Sequence, residues 1–249
     1  MAKHEYFSFI DLHGSKGLQM LARSGLSPEP YSKEVAMIHP FRNPLAAGAL
    51  GLVTALSVSL PAVAAPAPVT WDCQARPPIG GAQQLSLDTP ITGSAPESVA
   101  TGSDFEITAE PAPLTIPASA NGNTIRYLKN LQVRTPVPAG TSFRGVTLTG
   151  GSNLGTGIPT ATQSGGLITV TVPGQLTGGS TVQLPTIHLA VTATAAAGST
   201  IVSTLAGTSY TDPGLSFTAN VKFLFTGIDV PASCFTSPNP VLTSTAVTG

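Results

Sequence analysis

Leu215-Ser-Phe-Thr-Ala-Asn-Val-Lys-Phe-Leu-Phe225 decides the fold class. Leu215, Phe217, Ala219, Val221, Phe223 and Phe225 alternate with Ser216, Thr218, Asn220, Lys222 and Leu224. A period of two gives a β-strand with one apolar and one mostly polar face. Three of the nine phenylalanines share the apolar face, so this strand needs a second apolar layer to lie against. Thr211-Asp212-Pro213-Gly214 just before it reads as a tight turn.

Working outward, the same period recurs. Val69 to Cys73 and Gln84 to Leu87 are short strands, and residues 88 to 103, rich in Pro, Gly and Ser, read as a loop. In Asp104 to Glu110, Phe105, Ile107 and Ala109 oppose Glu106, Thr108 and Glu110. Leu114 to Ile116, between prolines, is an edge segment. Ile125 to Val137 carries apolar residues on odd positions, with Lys129 the exception. Phe143 to Thr149 and Leu167 to Val172 follow, separated by a long soft connection from Gly150 to Gly166.

Val182 and Leu184 lie on even positions, whereas Ile187, Leu189, Val191 and Ala193 lie on odd ones. A one-residue slip flips every side chain, so a bulge or bend is expected at Pro185 to Thr186. Ile201 to Tyr210 is expected to pair with the opening strand across the Asp-Pro-Gly turn. No mature segment shows a helical period. Eight to ten short strands predict an all-β, antiparallel two-sheet sandwich, with a closed β-barrel as the alternative.

The front of the chain reads as an export signal. Arg42-Asn43 leads into an uncharged run from Leu45 to Leu60, then Pro61 and the small-x-small site Ala62-Val63-Ala64. About sixteen residues is short for a membrane span of roughly twenty, with an uncleaved N-terminal anchor as the alternative. Cleavage is expected between Ala64 and Ala65. Residues 1–36 then form a mis-assigned or disordered leader, with translation starting at Met37. Residues 37–64 are the signal peptide, 65–236 the sandwich and 237–249 a flexible tail.

Charged residues make up only 9% of the chain, against roughly 25% in ordinary soluble domains. A weakly charged, hydroxyl-rich surface gives no electrostatic reason for a nucleic-acid partner. The two cysteines, Cys73 and Cys234, flank the mature domain. An even pair in an exported chain reads as a disulfide, with two buried thiols as the alternative. Closing a loop of about 160 residues contributes on the order of 4–5 kcal/mol in the chain-entropy account.

Reactive constellations are scarce. His188 is the one mature histidine, and its strand phase places it with Thr186, Ala190 and Thr192 on the solvent side. No Gly-x-Ser-x-Gly elbow occurs in the mature chain. One His and two Cys fall short of a zinc site. Glu106 and Glu110, about 13 Å apart by strand rise, are too far apart for a glycosidase pair. Asp104, Glu106, Asp212 and Asp229 lack the spacing of a calcium loop. Gly150 to Gly157 lacks the Lys and helix of a phosphate cradle. Arg126, Lys129, Arg134 and Arg144 are the nearest approach to a basic patch. No catalytic residue, cofactor or metal is expected.

Trp71-Asp72-Cys73 opening the domain and Val230-Pro231-Ala232-Ser233-Cys234 closing it are similar to a group of exported actinobacterial domains of uncharacterised function. Those modules begin with an aromatic-x-Cys strand and close with a Val-Pro element running into a second Cys. The similarity covers roughly Val69 to Phe235. It implies an Ig-like sandwich that is secreted or exposed on the envelope, and it carries over no catalytic residues. Together these readings predict a non-enzymatic module with a structural, adhesive or partner-binding role at the cell surface. Its partner would be an unknown envelope component, with membrane contact only through the signal peptide during export. The alternatives are a carrier of a small apolar or glycan ligand, and a hydrolase.

Overall fold

The computed structural model describes residues 61–63 (backbone only), 66–223 and 225–249. Residues 1–36, most of the signal peptide at 37–64, and the cleavage pair Ala64 and Ala65 therefore lie outside the described residues. The described chain is all-β, without a helix, and its sheets form a sandwich; none closes into a barrel.

Five antiparallel strands make the first sheet: β1 (Pro61–Val63), β4 (Ile91–Pro96), β6 (Asp104–Pro111), β15 (Thr186–Ala193) and β10 (Thr141–Thr149), in that order. The larger sheet runs β11 (Thr160–Ser164), β12 (Leu167–Val172), β9 (Asn123–Pro136), β17 (Leu215–Phe223), β18 (Thr226–Thr236), β2 (Thr70–Ala75) and β3 (Gln83–Asp88). Two-residue strands β8 (Ser119–Ala120) and β13 (Leu176–Thr177) also pair with β9. A third sheet joins β16 (Thr200–Thr204), β19 (Val241–Thr248) and β5 (Ser98–Ala100), the last pair being parallel. A small ladder joins β7 (Leu114–Thr115) to β14 (Thr181–Val182).

The opening stretch is a central strand, with β9 on one side and β18 on the other. Leu215, Phe217 and Ala219 are buried as the alternation requires. The pattern fails at the far end, where Phe223 is 43% exposed and Phe225 fully so. Inner-face residues of β17 and β9 pack with Trp71, Leu128 and Leu131 in one core. A second core gathers Phe105, Ile107, Leu189 and Val191 against Ile168, Ile201 and Val247.

Cys73 and Cys234 are bonded, across 161 positions of sequence. They sit directly opposite each other on β2 and β18. The bridge therefore clamps neighbouring strands of one sheet, whereas an antibody-type bridge pins two sheets together.

Lys129 is no accident of pattern. Asn130 takes a positive φ of 52°, and the register slips so that Ser216 faces Gln132 while Thr218 faces Lys129. One extra residue on β9 is a β-bulge, and it moves Lys129 onto the outer face. The expected break at Pro185 is also present. β14 pairs with β7, and past Pro185 β15 enters the five-stranded sheet. Val182 and Leu184 before the break and Leu189 and Val191 after it are all buried, so the flip is a change of sheet.

Four expectations are corrected. Residues 237–249 are no flexible tail: β19 fills most of them, with Leu242, Thr245 and Val247 buried. Residues 88–103 contain β4 and β5. Gly93 on β4 lets β19 pass, because a Cβ there would strike the Leu242 carbonyl. The stretch from Gly150 to Gly166 contains β11, turned back onto β12 by Gly165-Gly166, both at positive φ as a two-residue hairpin prefers. Finally, β16 pairs with β19, not with β17. The turn lies two residues earlier than Thr211–Gly214, with Ser209 bridged to Asp212.

Candidate functional site

The outer face of the five-stranded sheet carries the most organised polar group. β15 is flanked by β6 and β10, so His188 lies opposite Thr108 on one side and Thr147 on the other. Its side chain is 25% exposed, on the outer face as its phase predicted. The imidazole reaches diagonally past these neighbours. Nδ1 lies 3.0 Å from Glu106 Oε1, and Nε2 lies 2.8 Å from Thr149 Oγ1. A carboxylate only accepts, so Nδ1 carries a proton towards Glu106, and Nε2 shares a hydrogen bond with the Thr149 hydroxyl. Glu106, His188 and Thr149 thus form an acid–imidazole–hydroxyl row.

Asp104 continues the charged line on β6. It accepts from the Thr192 hydroxyl and lies 3.9 Å from Arg144. The residues are brought together by strand order alone, which sequence periodicity does not reveal. The row lies on an open face and lines neither hollow of the interior.

A second cluster sits on the outer face of the larger sheet. Lys129 Nζ donates to Asp229 Oδ2 at 2.6 Å, and Asn220 Nδ2 donates to Asp229 Oδ1 at 2.8 Å. Arg126 Nη1 lies 3.4 Å from Asn220 Oδ1. Asn220 is buried although it stands on the polar phase of β17. The Asn220 amide and the Lys129 ammonium hold the Asp229 carboxyl below its ordinary range. The bond to Asp229 raises Lys129 in turn. Gly227 makes room, since a Cβ there would stand 2.5 Å from Asn220 Oδ1.

Other candidates resolve into structure. Asp212 pairs with Arg134 at 3.1 Å, and Asp229 with Lys129, so the four acids considered for calcium do not converge. No group of three or more metal-ligating side chains exists among the described residues. The cations are likewise spent separately, with Arg144 on one sheet and Arg126, Lys129 and Arg134 on the other. The Gly150 to Gly157 loop is packed: Gly174 admits its backbone so closely that a Cβ would meet Leu154 O and Thr156.

Between the sheets lie two apolar hollows of about 40 Å³ each, sharing Ile91, Pro111, Leu131, Val133 and Leu184 as walls. Small-molecule sites run to roughly 300–1,000 Å³. No helix among the described residues is long and apolar enough to cross a membrane.

No family model and no curated protein matches the chain. Among solved structures, the fold is similar to the crystal structure of a protein described as "Putative membrane anchored protein" from Corynebacterium diphtheriae, an actinobacterium. The TM-score is 0.50 at 17% identity, over 73% of this chain. The chain spans 37% of that protein's length, and at this identity the likeness is one of fold.

Proposed function

We propose that the protein is a secreted or cell-envelope-exposed, non-enzymatic β-sandwich module with a structural, adhesive or partner-binding role. The Cys73–Cys234 bridge carries this reading, because such bonds persist in oxidising compartments and are rare in the cytosol. The fold likeness to a membrane-anchored actinobacterial protein supports an envelope setting. Among the described residues, the two hollows between the sheets hold about 40 Å³ each, well below ligand size, which favours binding by the surface. Surface labelling of intact cells, followed by non-reducing mass spectrometry, tests this. The expected result is a labelled chain with the two cysteines bonded and its N-terminus at Ala65, edge strand β1 having left with the signal peptide. A reduced chain protected from the label would overturn it.

A second reading rests on the Glu106–His188–Thr149 row, which has the order of an acyl-transfer triad. In that reading His188 takes the Thr149 proton while Glu106 holds the imidazolium, and Thr149 Oγ1 attacks an ester carbonyl. The ester C–O bond breaks as the leaving oxygen departs with the proton His188 returns, and water then hydrolyses the acyl-threonine. It ranks second because the open face offers no cleft to orient a substrate. Release of nitrophenol from a nitrophenyl ester, abolished by Thr149→Ala and by His188→Asn, would raise it to first. Unchanged release in both variants would remove it.

A further inference from the structure

We propose that one end of the larger sheet docks on an anionic lipid surface through the aromatic tip of the β17–β18 hairpin. Chain direction assembles this end. β2 and β17 are each antiparallel to β18, so both run towards it, while β3 and β9 start from it. Three connections therefore face that way: the Asn121-Gly122 turn before β9, the hairpin joining β17 to β18 and, set back level with Ala232 of β18, residues 76–82 between β2 and β3. Asn121 Nδ2 donates to Gln83 Oε1 at 3.2 Å, tying the turn to the start of β3.

Two features distinguish this end. The first is apolar: Phe223 and Phe225 stand in solvent at the hairpin end. Single exposed apolar residues need no account, but two aromatics two positions apart at one strand end do. Exposed phenylalanines at a strand end suit a medium that yields around them, as the headgroup region of a bilayer does.

The second feature is charge. None of the three connections contains Asp or Glu, and exposed Arg76, Arg126 and Lys222 stand on or beside them. Asp229, the nearest acid in the strands, is neutralised by Lys129. Acids gather towards the other end, where Asp72 and Asp88 lie on β2 and β3, and Asp212 precedes β17. This asymmetry orients the module with its phenylalanines towards a negative surface.

The test uses Phe225→Trp as a reporter, since the one native tryptophan, Trp71, is buried in the core. Vesicles of phosphatidylglycerol mixed with phosphatidylcholine are expected to shift its emission to the blue and to sediment the protein. Binding is expected to weaken as salt is raised. Phe223→Ser with Phe225→Ser should cut binding by about tenfold or more, given the worth of burying an aromatic side chain. Lys222→Glu should weaken it on the anionic vesicles. Both changes are on exposed residues, and an unchanged melting curve checks the fold. Three results would overturn the proposal: no sedimentation with these vesicles, equal binding to pure phosphatidylcholine, or a dimer in sedimentation velocity that the double serine variant abolishes. The last would assign the tip to a second copy.

Discussion

The two ends of β17 share one strand, one phase and one residue type, yet meet opposite surroundings. Phe217 is packed in the core, two residues along the ladder from the bridged clamp that holds Cys234 to Cys73. Phe223 and Phe225 continue the same alternation into solvent. Periodicity states which way a side chain points and says nothing about where the opposing layer stops. A strand longer than its cover delivers its last apolar residues outside.

The clamped end should show the largest effect. Changing both cysteines to Ala frees a loop of 161 positions and should lower stability on the order of 4–5 kcal/mol in urea unfolding. A loss below about 1 kcal/mol would mean that the β2–β18 ladder holds itself. Next comes the contrast within the strand. Phe217→Ala should lose about 3–5 kcal/mol, whereas Phe225→Ala should stay within about 0.5 kcal/mol. Equal losses would mean that the tip is covered in the folded protein.

The smallest effect belongs to the outer cluster. Asp229 is held below its ordinary range by Asn220 and Lys129, so its contribution is present above the unfolded carboxyl value and is lost as pH falls through the lowered one. Lys129 is raised, so its share is present below the ordinary lysine value and fades as pH rises through the higher one. Asp229→Asn should flatten the acid limb of stability against pH and leave the fold intact. An unchanged acid limb would show that the pair does not sense folding.

Much of the scaffold is legible in the residues, and what escapes has physical causes. β6, β12 and β17 alternate large apolar with polar groups, which announces them. β4 does not, because Ile91-Thr92-Gly93-Ser94-Ala95 uses small residues where β19 must pass close above Gly93. β19 hides for a related reason: its inward row includes Thr245, one of the most deeply buried side chains, whose hydroxyl donates to the Pro96 carbonyl. Lys129 looks like a flaw in its strand until the bulge at Asn130 is known. The candidate site is harder still. His188 is placed correctly on the solvent side by its own strand, but Glu106 and Thr149 become its partners only through the β6–β15–β10 order and diagonal register. No local pattern encodes that order.

If the molecule is held on a surface, as proposed above, the in-register bridge between β2 and β18 acquires a mechanical meaning. Tension entering ahead of β2 and leaving through the C-terminus first reaches β19, which can peel from its neighbours. Force then arrives at Cys234 and crosses directly to Cys73 through a covalent bond. The chain between the two cysteines, which holds nearly all of both cores and the whole outer face of His188, is bypassed by the load. A tethered copy under shear would thus lengthen by its terminal segments while its body stayed folded.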